Sequence, residues 1–418
     1  MRKRILLKGP ILTRSGYGEQ SRFALRSLRS REDLFDIYIQ PLQWGRTSWV
    51  NIETEERLWI DQTIERTIGY IQQGGQFDIA LQITIPNEWE RLAPVNVGYT
   101  AGIETTKVAP EWLIKGNEVD KIIVVSNHSK LVYENTTYNA IDERTKQEME
   151  LRINKSIDAV NYPVKTFDNL PEVDLNLDYD FNFLAVAQFG PRKNIPNTIK
   201  WFIEEFKDEE VGLVIKSNIA KNCLMDREQL LNDMRAFMPQ FGEHKCKIYL
   251  LHGDMSDEEM HSLYKHPKIG ALVALPHGEG FGLPIFEAAY SGLPVVATGW
   301  SGQLDFLVDE EGQEHFYNVS FDIQPVQENV VWDGVIMKDS MWAYAREQSA
   351  KEKMRECYVD RENREDRDAP VEYAAELHER FSEEKMYKSF VDAMGVNEEV
   401  LDLDAWFDEL DSEVVEHD

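Results

Sequence analysis

The stretch LPHGEGFGLPIFEAAYSGLPVVATGWSGQLD, from Leu275 to Asp305, decides the fold. An apolar run ends at Leu275, and a glycine-rich loop follows it. Pro284 marks the first turn of a helix and Gly292 marks its end, because proline is favoured at helix starts and glycine just past helix ends. A second apolar run then leads towards Asp305. The pattern predicts strand, loop, helix and strand in that order, as in a parallel α/β sheet.

The start of this helix is suited to binding an anion. Its first backbone N–H groups have no partner within the helix, and the helix dipole places partial positive charge there. The glycine-rich loop lacks bulky side chains, and open parallel sheets bind their ligands at this same edge. We therefore predict that a phosphate-bearing ligand binds at this loop.

Two glutamates frame the loop. Glu279 lies in it and Glu287 lies on the helix, with seven residues between them. A carboxylate beside a phosphate repels it and needs another partner, and sugar hydroxyls donate hydrogen bonds to carboxylates. We predict that both glutamates bind hydroxyl groups. The alternative is that both are surface or capping acids, which is the commoner role of an isolated pair.

The rest of the chain repeats the strand–helix alternation, and 418 residues exceed the usual size of one core. Near-continuous apolar runs predict buried parallel strands. They are Arg4–Lys8, Phe77–Ile85, Val95–Thr100, Lys121–Ser126, Phe181–Ala187, Val211–Ser217, Lys247–Leu251, Ala271–Leu275 and Pro294–Thr298. The fold class predicted is α/β, with two Rossmann-like lobes.

Polar, proline-containing sequence at Tyr162–Asp180 is the best boundary between the lobes. We predict a first lobe over residues 1–165, a second over residues 166–345, and C-terminal helices with an acidic tail over residues 346–418. Met341–Tyr344 is expected to open the helical end. From Val396 onward there are ten acidic residues and no Lys or Arg, with a short helix expected around Trp406.

Composition limits the classes of function. The formal net charge of −30 lacks the basic footprint of a nucleic-acid-binding protein. Three widely spaced cysteines match neither a disulfide framework nor a metal site, so we expect a reducing, cytoplasmic location. No stretch approaches the apolar length of a membrane span.

The segment from Glu279 to Glu287, with GFGLPIF between them, resembles the paired-glutamate signature of retaining family-4 glycosyltransferases. The resemblance continues through SGLPVVATGWSG and reaches back to LHGDMSDEEMHSLY, LVIKSN and VAQFGPRKNIPNTIKWF. GPILTRSGYGEQSRFALRSL, GYTAGIETTKVAPEW and VVSNHSK match more loosely in the first lobe. The combination also resembles glycosyltransferases encoded by tailed phages of marine bacteria, for which the location would be the host cytoplasm.

The resemblance implies the two-lobed GT-B fold, with the acceptor on the first lobe and a nucleoside-diphosphate sugar, such as a UDP-sugar, on the second. It implies a metal-independent, hexosyltransferase-like enzyme without a further cofactor. The acceptor hydroxyl would belong to a glycan, a protein or a hydroxymethylated base in phage DNA.

The resemblance also implies roles for individual residues. Glu279 would contact the donor sugar, Glu287 the nucleotide ribose and Lys193 the diphosphate. Backbone groups of the glycine loop would lie near the sugar and the diphosphate; they belong to Gly280, Phe281 and Gly282.

One position departs from the family pattern, because Gln188 stands where an arginine is usual. The departing diphosphate gains negative charge as the glycosidic bond breaks, so a second cation would stabilise the transition state. Arg192 and Lys216 are both candidates for that cation.

Weaker signals lie in the first lobe. Gly16 and Gly18 open a helix after the first strand and would approach donor phosphate or acceptor, although a tight turn is the default interpretation. Glu104 is a candidate base or holder of the acceptor hydroxyl, or a helix-capping acid. His277 is close enough in sequence to Glu279 to touch a substrate. The Asp178–Asp180 pair is interpreted as solvated sequence rather than a metal site.

Two other functions are alternatives to glycosyl transfer. A catalytically silent subunit that binds sugar nucleotide is the alternative that Gln188 allows. An NAD-dependent oxidoreductase is disfavoured, because Ser21 occupies the place of the third glycine of the dinucleotide fingerprint.

Overall fold

A computed structural model describes residues 2–141 and 146–395 of the protein, without the side chains of residues 364–367. The acidic tail and the helix expected around Trp406 lie outside the described residues.

The first lobe is built on a six-stranded sheet in which every strand is parallel to its neighbours, in the order β2-β1-β3-β4-β5-β8. A separate two-stranded antiparallel ribbon, β6–β7, lies between α4 and β8. The elements in chain order are β1 (Lys3–Gly9), α1 (Gly16–Arg29), β2 (Phe35–Pro41), α2 (Glu55–Gln72), β3 (Ile79–Ile83), β4 (Val95–Thr100), α3 (Pro110–Glu118), β5 (Lys121–Val124), α4 (Asn127–Asn135), β6 (Tyr138–Ile141), β7 (Glu148–Leu151) and β8 (Ile157–Ala159).

The second lobe repeats the design with another six parallel strands, in the order β11-β10-β9-β12-β13-β14. Its elements are β9 (Asn182–Val186), α5 (Ile195–Phe206), β10 (Gly212–Lys216), α6 (Leu224–Phe237), β11 (Lys247–Leu251), α7 (Asp257–Tyr264), β12 (Ile269–Ala274), α8 (Leu283–Tyr290), β13 (Val295–Thr298), α9 (Leu304–Leu307) and β14 (Tyr317–Val319). The two parallel sheets confirm the predicted α/β fold with two Rossmann-like lobes.

An antiparallel hairpin of β15 (Phe321–Pro325) and β16 (Met341–Ala345) follows, and then come α10 (Glu347–Asp360), α11 (Arg364–Arg380) and α12 (Glu383–Ala393). The expectation that Met341–Tyr344 opens the helical end is therefore wrong. These residues form a strand because β15 pairs with all of them, from Phe321 opposite Ala345 to Pro325 opposite Met341. The helices begin only at Glu347.

The predicted division at residues 165 and 345 stays a prediction. The last strand of the first sheet ends at Ala159 and the first strand of the second begins at Asn182. No helix or strand is found between these two described strands.

The lobes share one hydrophobic core, and the C-terminal helix returns to the first lobe. Phe390 of α12 is fully buried with its ring centroid 5.4 Å from that of Phe23 on α1. Asp305 of the second lobe accepts hydrogen bonds from the backbone N–H of Asn127, at 2.8 Å, and from Asn161 Nδ2, at 2.9 Å. These contacts join the two lobes. Among residues 2–141 and 146–395, no helix is long and apolar enough to cross a membrane.

Candidate active site

A cleft of about 820 Å³ lies between the two lobes and is lined by residues of both. It brings together nearly all of the residues that the sequence singled out. Those that line it are Gly16, Glu104, Arg192, Lys193, Lys216, Glu279, Gly280, Phe281, Gly282 and Glu287.

The glycine loop between β12 and α8 crosses the floor of this cleft and touches the first lobe. A Cβ on Gly280 would lie 2.0 Å from the backbone oxygen of Ala101, and one on Gly278 would lie 2.1 Å from that of Glu104. Gly282 has a φ of +98°, which favours glycine. The loop therefore needs glycine both for close contact between the lobes and for its own conformation.

The helix that follows this loop begins as predicted. Pro284 lies in the first turn of α8, and its N-cap, Gly282, has no side chain to cap the helix. Gly292, with a φ of +79°, follows the last turn. The start of α8 is thus open towards the cleft, where an anion would meet the partial positive charge of the helix.

A turn after β13 is hydrogen-bonded to the backbone of the glycine loop. Ser301 Oγ accepts a hydrogen bond from the backbone N–H of Glu279 at 2.9 Å and donates one to Gln303 Oε1 at 2.9 Å. The N–H of Gly302 donates to the backbone oxygen of Glu279 at 3.0 Å. Ser301 has a φ of +82°, which is uncommon for a non-glycine residue. This conformation places its hydroxyl against the backbone of Glu279.

Four charged side chains from three segments form a cluster in the cleft. Arg192 contacts Glu279 Oε2 at 2.9 Å through one guanidinium nitrogen and Glu104 Oε1 at 3.0 Å through the other. Lys193 Nζ lies 2.5 Å from Glu279 Oε1. Arg192 also donates to the backbone oxygen of Gly278 at 2.7 Å. The cluster links both lobes and balances two acids against two bases.

Burial and pairing set the protonation of this cluster. Burial raises the pKa of Glu104, and Arg192 only partly offsets this. Burial acts in the same direction on Glu279, but the charges of Arg192 and Lys193 outweigh it and hold that pKa below its usual value. Burial, together with the neighbouring arginine, lowers the pKa of Lys193. Glu279 is therefore the firmly ionised acid of the pair.

Arg192 and Lys193 lie on a short 3-10 turn just before α5. Asn194, which follows, adopts a left-handed φ of +56°, a conformation that asparagine tolerates better than most residues. Its side chain makes no capping hydrogen bond to α5; Asn194 Oδ1 instead accepts a hydrogen bond from Asn197 Nδ2 at 2.7 Å. The turn aims both cations at the glycine loop.

Glu287 lines the same cleft from α8. The Tyr264 hydroxyl donates a hydrogen bond to Glu287 Oε2 at 2.9 Å. Burial raises the pKa of Glu287 to about 7, against the lowering effects of Lys165 and Tyr264. Lys165 also lines the cleft and pairs with Glu19 at 2.9 Å and Asp257 at 2.8 Å. Sequence reasoning missed Lys165, because it lies in an irregular segment without a motif.

Lys216 differs from the other cations of the cleft. It lies at the end of β10 and donates to the backbone oxygen of Gly253 at 2.5 Å. Among the described residues that line the cleft, it is the cation without an ion-pair partner. Gln188 lines the cleft after β9 and donates to the backbone oxygen of Ile219 at 2.6 Å. Lys216 is thus the cation in this lining that is free to meet a new anion.

The sequence of the second lobe matches a known family. Residues 173–322 match the model of glycosyl transferases group 1. The matched stretch includes the glycine loop, both glutamates and the cations at positions 192, 193 and 216, whereas Gly16, Gly18 and Glu104 lie outside it.

Solved structures match the whole chain and have the GT-B fold. A glycosyltransferase from Rickettsia africae has a TM-score of 0.60 at 13% identity, over 96% of this chain and 99% of that one. HepE of Anabaena, solved with UDP and glucose, has a TM-score of 0.58 at 12% identity, over 95% and 100%. Sucrose-phosphate synthase of Thermosynechococcus elongatus has a TM-score of 0.57 at 12% identity, over 99% and 100%.

At these identities the structural likeness establishes the fold. The chain spans 60% of the matched chain in the GtfA/B complex, with a TM-score of 0.47. No curated protein sequence matches the chain significantly.

Three residues considered from the sequence lie away from the cleft of this GT-B protein. Gly18 is not among the lining residues; its N–H donates to Ser15 Oγ at 3.0 Å, and a Cβ there would lie 2.0 Å from the backbone oxygen of Thr13. His277 is buried against Trp342, with Nδ1 2.7 Å from the backbone oxygen of Ala343. Gly18 and His277 therefore serve packing.

Asp178 is the third. It pairs with Lys247 at 2.8 Å and does not line the cleft. Within the described part of the chain, no group of three or more His, Cys, Asp or Glu side chains is placed to hold a metal ion.

Proposed function

We propose that the protein is a retaining glycosyltransferase of the family-4 type that moves a sugar from a nucleoside-diphosphate sugar to an acceptor hydroxyl. The observation that carries the proposal is the Glu279–Arg192–Lys193 cluster at the open start of α8, inside the cleft of a GT-B fold. The group 1 domain supports transfer from a sugar nucleotide, and HepE, a protein of the same fold, was solved with UDP and glucose.

In this proposal the diphosphate binds at the start of α8, near backbone groups of Gly280, Phe281 and Gly282. Lys193 and Lys216 supply positive charge. Lys216 takes the role of the arginine that the family usually has at the position of Gln188. The unpaired state of Lys216 supports this assignment, because a bound phosphate would give it the ion partner it lacks. Glu287 accepts hydrogen bonds from the ribose hydroxyls.

Glu279 is already paired in the free protein, and this pairing suggests how donor binding prepares the site. The diphosphate competes with Glu279 for Lys193 and Arg192. The carboxylate then accepts hydrogen bonds from hydroxyls of the donor sugar. The cations face the leaving group, whose charge grows in the transition state, and they therefore lower the barrier.

The retaining step follows from the family resemblance. The acceptor oxygen forms a bond to the anomeric carbon on the face from which the phosphate oxygen departs. The acceptor proton passes to that phosphate oxygen, so no protein nucleophile is needed. Glu104, with its raised pKa and its contact to Arg192, would hold the acceptor hydroxyl by a hydrogen bond.

Release of nucleoside diphosphate by the purified protein tests this function. Panels of UDP-, GDP- and ADP-sugars are incubated with and without simple glycosides, in EDTA. Diphosphate release that depends on one donor, with an α-linked product from an α-linked donor by NMR, is the expected result. Tight donor binding without any turnover would instead identify a silent binding subunit, the alternative that Gln188 allows. Loss of turnover in EDTA would contradict metal independence.

We also propose a glycan as the acceptor and the cytoplasm as the location. A glycan hydroxyl is favoured over a hydroxymethylated base in phage DNA, because a duplex needs unpaired Lys and Arg for its phosphates. All three cysteines are free, which fits a reducing cytoplasm, that of a host cell if the protein is encoded by a phage.

A further inference from the structure

The loop between β15 and β16, residues 326–340, leaves the second lobe and docks on the first. The backbone oxygen of Gly334 accepts hydrogen bonds from Trp112 Nε1 and Asn87 Nδ2, both at 3.0 Å. Lys107 pairs with Asp339 at 2.6 Å. Val335 and Met337 pack against the buried cluster around Trp112. The 326–340 loop is therefore held to the first lobe by polar and apolar contacts.

The tip of this loop is a tight turn that presents Trp332. The backbone N–H of Trp332 donates a hydrogen bond to the backbone oxygen of Ile336 at 3.1 Å. The backbone N–H of Ile336 donates one to the backbone oxygen of Trp332 at 2.8 Å. Gly334, with a φ of +75°, makes the turn possible. Trp332 is 59% exposed although its backbone is fixed. Packing does not account for such a residue, since its ring contributes little to any core.

Trp332 faces the same cleft as the proposed active site. Val335 and Ile336 line the cleft beside it, and Ile85 contributes from the first lobe. Glu104 lines the cleft as well and is the carboxylate that the first lobe brings to Arg192. An aromatic ring, three aliphatic side chains and a carboxylate thus line the cleft in which the 326–340 loop meets the first lobe.

The charges at this end disfavour an anionic ligand. The 326–340 loop carries Glu328, Asp333 and Asp339 against Lys338, which is itself 3.3 Å from Glu328. Among the described lining residues, Lys216 is the one unpaired cation, and the donor diphosphate would use it. A neutral sugar fits better. Its flat C–H face packs on an indole ring, and its hydroxyls donate to a carboxylate or to water.

We propose that Trp332, with Val335, Ile336 and Ile85, forms an acceptor subsite for a neutral carbohydrate residue. This proposal rests on the transferase function proposed above and names the class of its acceptor. The 326–340 loop then has a double role, since it ties the lobes together and supplies the surface on which the acceptor ring stacks.

The test separates acceptor binding from donor chemistry. Trp332→Ala, Trp332→Phe and the control Leu131→Ala are compared; Leu131 is 57% exposed and lies on α4 outside the cleft. We expect Trp332→Ala to raise the KM for a methyl glycoside acceptor by about tenfold or more. Hydrolysis of the donor without acceptor should stay at the wild-type rate. Trp332→Phe should keep most of the affinity, and Leu131→Ala should behave as wild type.

Saturation-transfer NMR gives a second readout that needs no turnover. Methyl glycosides are mixed with the full chain and UDP, and their signals should appear with wild type and disappear with Trp332→Ala. If these signals appear but no donor is ever consumed, the carbohydrate subsite stands and the transferase function fails. If donor is hydrolysed normally and Trp332→Ala leaves the glycoside KM unchanged, the subsite is refuted. Transfer to a hydroxymethylated duplex, with no glycoside accepted, also refutes it.

Discussion

Lys193 Nζ lies 2.5 Å from Glu279 Oε1, which joins a residue of the turn before α5 to one of the glycine loop before α8. The two are 86 residues apart in sequence. Arg192 contacts the other oxygen of the same carboxylate. The free protein thus holds its cations on Glu279, and in the proposed function a donor diphosphate takes them over.

Replacing Glu279 should reduce turnover more than donor affinity. Glu279→Gln keeps the size of the side chain but loses the charge that balances the two cations. We expect kcat to fall by about 10²–10³, as when a group that stabilises a transition state is removed, with the donor KM within a fewfold of wild type. Steady-state kinetics with the donor identified in the panel measures both quantities.

Glu279→Ala should in addition lower the free energy of unfolding by about 1–3 kcal/mol, because it leaves the partly buried Lys193 without its carboxylate partner. Thermal unfolding of both variants separates folding from catalysis. Wild-type kcat in Glu279→Gln would remove the basis for the site.

Donor binding should depend on the ionisation of Glu287. Its pKa is raised to about 7, so the carboxylate that accepts ribose hydroxyls is half formed at neutral pH. UDP affinity should therefore rise as the pH increases from 6 to 8 through this value. Isothermal titration of UDP across that range measures the dependence.

Glu287→Gln should bind UDP more weakly at pH 8 and should lose the pH dependence around 7. The same raised pKa makes the ionised form unfavourable in the fold. The contribution of Glu287 to the free energy of unfolding is therefore lost as the pH rises from the ordinary pKa of a glutamate to about 7, and the loss levels off above that pH. Glu287→Gln should reduce that loss. A pH profile of the variant that matches wild type would assign the titration to another group.

Lys216 should contribute to the binding affinity for the diphosphate and not to that for the nucleoside. Removing a hydrogen bond to a charged group costs about 1.5–3 kcal/mol, so Lys216→Ala should weaken UDP binding by about tenfold or more. Uridine binding should not change. Lys200→Ala, at a half-exposed position on α5 outside the cleft, is the matched control. Equal loss for UDP and uridine would show that Lys216 acts through the fold.

Gly280 should be intolerant of any side chain. Gly280→Ala places a methyl group 2.0 Å from the backbone oxygen of Ala101, so the lobes must move apart and the melting temperature should fall. Gly69→Ala is the control, because Gly69 lies within α2, near its C-terminal end, and a Cβ there meets nothing within 4 Å. It should stabilise the protein by about 0.5–1 kcal/mol. Equal melting temperatures for the two variants would contradict the close contact between the lobes.

Several features of the site could be predicted because their signals are local. The strand, loop and helix around Glu279 are encoded by neighbouring glycines, Pro284 and apolar runs, whose effects act within a few residues. The strand Phe35–Pro41 was missed because Asp36 and Gln40 interrupt its apolar pattern, and its place is set by pairing with β1.

The sequence by itself determined the alternation of strands and helices and the two glutamates that frame the glycine loop. It also determined the cations that follow β9 and the one at the end of β10. Only the tertiary structure decided that Glu104 meets Arg192, that Lys165 lies near Glu287, that Met341–Ala345 is a strand and that Trp332 faces the cleft. The physical reason is that backbone preferences act over a few residues, whereas ion pairs, strand pairing and cleft walls depend on segments that come together only when both lobes pack on one core.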